Sequence, residues 1–165
     1  MTEDKIYKIG IVEDDRMFGE MLLWYFKDID KYDAKLYPTA EDLLDDRYFE
    51  ADILILDYHL NSEKPDAMNG MELAKIKKDI PKIILSAQEE IPVALEMLKY
   101  KGCDYIEKGK FDIEKARESV DAIVEQLKLN EEIEVSRNNN KKSMFRLGFT
   151  ISIIVIIILA IISSH

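Results

Sequence analysis

The sequence predicts a three-layer α/β domain built on a doubly wound, five-stranded parallel sheet. Three observations predict it. The run Ile53-Leu-Ile-Leu-Asp57 is four apolar residues closed by an acid, which reads as a strand buried on both faces. Strand-like and helix-like segments then alternate five times before residue 130, the pattern of right-handed strand-helix-strand units. Finally, four of the apolar runs end in groups that can do chemistry: Glu13-Asp14-Asp15, Asp57, Ser86 and Lys108. In open parallel sheets, sites lie just beyond the carboxyl ends of the strands.

The elements follow in order. Tyr7 to Val12 is a strand with Ile9, Ile11 and Val12 apolar, and it runs into the acidic triplet 13–15. Met17, Met21, Leu22, Trp24, Tyr25 and Phe26 then carry helical spacing to about Asp28. Tyr32 to Tyr37 alternates weakly as a second strand, and Pro38-Thr39 breaks it. Thr39 with Asp42 three residues on resembles a capping pattern for a short helix through Leu44. The strand ending at Asp57 follows, and a polar loop with Pro65 leads to a helix over 70–78. Pro81 stops that helix, and Lys82 to Ser86 is the fourth strand. Val93, Leu95, Met97 and Leu98 belong to a helix ended by Gly102. Cys103 to Ile106 is the fifth strand, running into Glu107-Lys108-Gly109. A last helix starts near Asp112, with Ile113, Ala116, Val120, Ile123 and Leu127 at three-four spacing. That spacing fits a helix packed on the sheet; a coiled-coil seam is the alternative.

Beyond this body, covering residues 5–130, the composition changes. Residues 131–144 contain Arg137-Asn-Asn-Asn-Lys-Lys-Ser143, which is polar, basic and without apolar period, and reads as a linker. Leu147 to Ile162 is a 16-residue run with no charge. Taken as 145–164 it is long enough for a single transmembrane helix. With roughly −0.3 to −0.6 kcal/mol per central apolar residue, insertion is favourable by several kcal/mol. Basic residues precede the run and none follow it, so the expected orientation leaves the N-terminal body cytoplasmic, on a cell membrane.

Charge is distributed unevenly. All 33 acidic residues lie at or before Glu134, and four of the 23 basic ones lie after it. The body through residue 136 therefore carries −14 and the tail +4. An acidic body repels phosphate backbones, so no nucleic-acid partner is expected. The single cysteine, Cys103, excludes an internal disulfide, and the charged N-terminus lacks the apolar core of a signal peptide.

A strand order 2-1-3-4-5 places the switch point between strands 1 and 3, whose ends hold residues 13–15 and Asp57. Clustered carboxylates repel by several kcal/mol at an effective dielectric of about 20 and need a cation. All-oxygen ligands suit Mg²⁺. A carboxylate can accept a phosphoryl group, whose three equatorial oxygens carry charge. The metal, the Ser86 hydroxyl and the Lys108 ammonium can each meet one. The set is that of phosphoryl transfer onto Asp57.

Residues 5–130 resemble the receiver domain of two-component response regulators (CheY-like). The matching pieces are Val12-Glu-Asp14, Leu54-Ile-Leu-Asp57, Met68-Asn-Gly70-Met-Glu-Leu73, Ile84-Leu-Ser86-Ala87 and Gly102-Cys-Asp-Tyr105-Ile-Glu-Lys108. The resemblance implies a flavodoxin-like fold, Mg²⁺, and phosphorylation of Asp57 by a histidine kinase or histidine phosphotransferase. It implies Glu13, Asp14, Asp57 and the main-chain carbonyl of His59 as metal ligands, with Asp15 the alternative should the register slip by one. It makes Ser86 and Lys108 phosphoryl-binding groups, Ser86 and Tyr105 the switch pair, and His59 and Gln88 the positions that tune phosphoryl lifetime. The chain departs from the family in a longer loop from Asp57 to Gly70 and in Gly109 where a proline usually follows the lysine, and no output domain is expected after the body.

The expected function is a membrane-anchored single-domain response regulator acting on an unidentified downstream protein, not a turnover enzyme. One alternative is a docking module on the same fold, independent of phosphorylation. A second is a Mg²⁺-dependent phosphohydrolase, disfavoured because no second general acid accompanies Asp57.

Overall fold

The computed structural model describes residues 5–60, 67–86, 102–109 and 112–163; at 151 and 153–163 only the helical backbone is described. The elements are β1 (Tyr7–Val12), α1 (Arg16–Lys27), β2 (Tyr32–Tyr37), α2 (Ala40–Asp45), β3 (Ile53–Asp57), α3 (Gly70–Ile76), β4 (Lys82–Ser86), β5 (Cys103–Glu107) and α4 (Asp112–Ser163). The strands form one parallel sheet in the order β2-β1-β3-β4-β5. This is the flavodoxin-like arrangement expected from the sequence. The helix expected between Val93 and Gly102 lies outside the described residues, as does Gln88.

Burial explains why the central strands read so clearly. Every residue of β3 and of β4 is buried. Ile9, Ile11 and Val12 of β1 are buried as well. A sheet covered on both faces needs continuous apolar strands rather than alternating ones. Each fully buried Ile or Leu contributes roughly 1.5–3 kcal/mol. The edge strands β2 and β5 are only partly buried, and their sequences alternate accordingly.

Local chemistry fixes where the helices start. Asp15 caps α1, its Oδ1 accepting from the N–H groups of Met17 (2.9 Å) and Phe18 (3.2 Å). Thr39 caps α2 through the Asp42 N–H at 3.0 Å, as the spacing predicts. Asn69 and Glu72 form a full capping box at α3, with each side chain accepting from the other's N–H. α3 ends at Ile76, two residues before the expected end.

The tail differs from expectation. The described chain divides into two units, 1–124 and 125–165. Residues 131–144, read as a polar basic linker, are helical and belong to α4. The side chains from 128 to 150 are exposed. A helix with no buried face has no apolar stripe, so hydrophobic periodicity does not report it.

The transmembrane expectation over 145–164 finds no support among the described residues, none of whose helices is long and apolar enough to cross a membrane. Most of the apolar side chains on which it rests, at 151 and 153–162, lie outside that description; Phe145, Leu147 and Phe149 are described and exposed.

Candidate functional site

Four groups converge at the carboxyl ends of β1 and β3 and just past β5. Glu13 follows β1, its N–H donating to Tyr37 O at 3.1 Å, and its side chain is buried. Asp14 is the next residue and is exposed. Asp57 is the last residue of β3 and is 6% exposed. Lys108 follows β5, and its N–H donates to Ser86 O at 2.7 Å, tying the lysine to the end of β4. No peptide bond among the described residues is cis, and Gly109 does not prevent Lys108 from reaching inward.

The distances define the site. One carboxylate oxygen from each of Glu13, Asp14 and Asp57 lies within 4.8 Å of the others. The Lys108 Nζ donates to Glu13 Oε1 at 3.0 Å and Oε2 at 2.8 Å. It stands 3.0 Å from Asp57 Oδ2. The His59 N–H donates to the other Asp57 oxygen, Oδ1, at 3.2 Å. The His59 ring packs edge-on against Tyr58.

With all four groups ionised, the three carboxylates outweigh the one ammonium and leave the site with surplus negative charge. Two unit charges at the cluster's separation interact by roughly 3–4 kcal/mol at an effective dielectric of about 20. The surplus is felt by the most buried acid. Burial pushes the Glu13 carboxyl up to about 7; the Lys108 hydrogen bond opposes this, and the charge of Asp57 adds to it. Lys108 shows the converse. Burial alone would lower its ammonium, but Glu13 and Asp57 hold it above the ordinary lysine value. An all-carboxylate set with surplus negative charge fits a hard divalent cation such as Mg²⁺, and among the described residues no His or Cys joins it to favour zinc.

The other expected residues are placed as follows. Asp15 is spent on the α1 cap, and the carboxylates that cluster are those of Glu13, Asp14 and Asp57. Ser86 ends β4 next to β3 and is fully buried. Tyr105 lies on β5, half-buried against the core cluster that includes Leu56, Leu73 and Ile84.

Three features were missed by the sequence reading. Lys108 pairs with Glu13 at least as closely as with Asp57. Its ammonium also stands 4.8 Å from the centroid of the Phe18 ring. Gly70 lies directly against the main chain of Asp57. A small residue at a helix start beside the acid's strand end was the one available signal for the last.

Compared with known proteins, the chain matches no family model and no curated relative. Solved structures do match. The HemR receiver domain from Leptospira biflexa is 27% identical with a TM-score of 0.60, over 72% of this chain and 94% of that one. The receiver domain of Francisella response regulator 1452 is 24% identical with a TM-score of 0.60, over 73% and 98%. A response regulator receiver domain protein (CheY-like) from Methanospirillum hungatei is 21% identical with a TM-score of 0.61, over 75% and 98%. Sheet order and structural neighbours agree: this chain has the fold of the response-regulator receiver domains.

Proposed function

We propose that this protein is a phosphorelay receiver that accepts a phosphoryl group on Asp57. The observation that carries the reading is the Lys108 ammonium 3.0 Å from Asp57 Oδ2, beside three carboxylates gathered within 4.8 Å. The donor class is a phosphohistidine of a kinase or phosphotransferase. An Asp57 oxygen forms the new O–P bond as the donor's P–N bond breaks, and the imidazole leaves and takes up a proton. Lys108 neutralises charge on a phosphoryl oxygen, and the Ser86 hydroxyl supplies a donor to another.

Glu13, Asp14, Asp57 and the His59 carbonyl are the groups that would hold Mg²⁺. When bound, Mg²⁺ supplies positive charge that offsets both the carboxylates and the incoming phosphoryl group. Ser86 and Tyr105 carry the switch, and His59 and Gln88 set how long the acyl phosphate survives. The protein then works as a signalling module rather than by turnover, and its output passes to a protein partner.

The uncharged run from Leu147 to Ile162 supports a second element of the reading, a C-terminal membrane anchor with the receiver on the cytoplasmic side. An anchor confines the receiver near membrane-bound kinases and raises effective concentration without new contacts. Carbonate washing of membranes tests it. The full chain is expected in the pellet and a chain ending at residue 136 in the supernatant; full-length protein in the wash would remove the anchor.

The phosphoryl reading is tested by incubating the protein with Mg²⁺ and a small acyl phosphate. Stoichiometric mass gain, absent in Asp57→Asn, is expected. No gain favours the docking module, and repeated turnover of varied phosphomonoesters favours a phosphohydrolase.

A further inference from the structure

Lys108 is held from several sides. Its ammonium gives two short contacts to Glu13 and one to Asp57, and its N–H is tied to Ser86 O. A further neighbour is apolar: the Phe18 ring, with its centroid 4.8 Å from Nζ. Phe18 is itself fixed. It sits in the first turn of α1, half-buried, with its N–H bonded to the capping carboxylate of Asp15 at 3.2 Å.

The contacts of the ammonium are unequal. Glu13 engages it with both oxygens and Asp57 with one. An ammonium on a flexible four-carbon stem would settle onto the doubly engaged acid or turn to solvent. An aromatic face attracts a cation and excludes water from that side. We infer that Phe18 is a positioning residue for phosphoryl transfer, its ring holding the Lys108 ammonium between Glu13 and Asp57. The inference rests on the receiver reading and adds a residue outside the five matching sequence pieces. Asp15 acts one step further out, since its cap places the ring.

A leucine keeps most of the bulk of Phe18 but has no π face, whereas a tyrosine keeps the face. The test uses the full-length chain in detergent with Mg²⁺ and a small acyl phosphate. It compares wild type, Phe18→Leu, Phe18→Tyr, Lys108→Met, and Phe18→Leu combined with Lys108→Met. Phosphorylation is expected to slow by about fivefold in Phe18→Leu, the scale of a partly desolvated cation–ring attraction. Phe18→Tyr is expected to stay near wild type. Phe18→Leu is expected to cost nothing further once Lys108 is methionine. In NMR spectra, the ε-methylene protons of Lys108 are expected to be shifted upfield by the ring in wild type and in Phe18→Tyr, but not in Phe18→Leu.

Equal rates in wild type and Phe18→Leu would overturn the inference while leaving the receiver reading intact. So would an equal loss in the leucine and tyrosine variants, which marks packing alone, or an unshifted Lys108 in wild type. If wild type itself takes no label, the receiver reading fails and this inference with it.

Discussion

The carbonyl oxygen of Asp57 occupies the space where a β-carbon on Gly70 would stand. The Asp57 carbonyl carbon and the Tyr58 Cα are also close to that point, at 2.9 and 3.2 Å. These are backbone atoms that cannot rotate away. The start of α3 therefore packs directly on the residue proposed to receive the phosphoryl group.

Gly70→Ala should accordingly displace either α3 or the end of β3. The expected cost is about 1–3 kcal/mol, the usual range for overpacking. Urea unfolding measures it. Gly109→Ala is the control, because a β-carbon there meets nothing within 4 Å, and it should fall within about 0.5 kcal/mol of wild type.

Lys108→Met removes a cation that two buried acids share. Breaking a buried ion pair by removing one partner costs roughly 3–5 kcal/mol. Lys108 keeps some solvent contact, so about 2–3 kcal/mol is expected without a divalent ion. Adding Mg²⁺ should restore part of it, as a rise in the urea midpoint larger than in wild type. An equal response to Mg²⁺ in both proteins would separate the lysine from the metal cluster.

Metal binding should stabilise the fold by mass action, by about 2.7 kcal/mol at a roughly hundredfold excess over the dissociation constant. Thermal unfolding with and without Mg²⁺ reads this as a raised midpoint. Asp14→Asn should weaken the effect strongly, whereas Asp15→Asn should retain it, because Asp15 is occupied with the helix cap.

Much of this site was legible in the sequence because a parallel sheet buries its central strands on both faces. That made β3 and β4 continuous apolar runs and marked Asp57 and Ser86 as their ends. The turn after β5 was readable for a different reason: β5 is a partly buried edge strand, and Gly102 before it and Glu107-Lys108-Gly109 at its end bound it in the sequence. The Glu13–Lys108 pair was not readable, because it joins residues 95 apart whose distance depends on sheet register and twist. The Phe18 contact was hidden for the same reason, since it joins the first turn of α1 to the turn after β5. The helix through 131–144 escaped notice because it buries no face.

The acid limb of stability should depend on Asp46. Hydrogen bonds from Lys35 and then Tyr37, with a smaller one from the Tyr48 N–H, hold its carboxyl down at about 2, against burial. The folded value lies below the ordinary 3.8. Its contribution is therefore present above about pH 4 and lost as the pH falls towards about 2. Asp46→Asn should flatten stability across that window and leave the slope near neutrality unchanged, as read from urea midpoints against pH.

The most direct test is to locate the label. After exposure to a small phosphoramidate with Mg²⁺, peptide mapping should find one hydroxylamine-labile phosphoryl group, on the peptide containing Asp57. A protein that takes no label, or takes it stably on Ser86, would contradict the account.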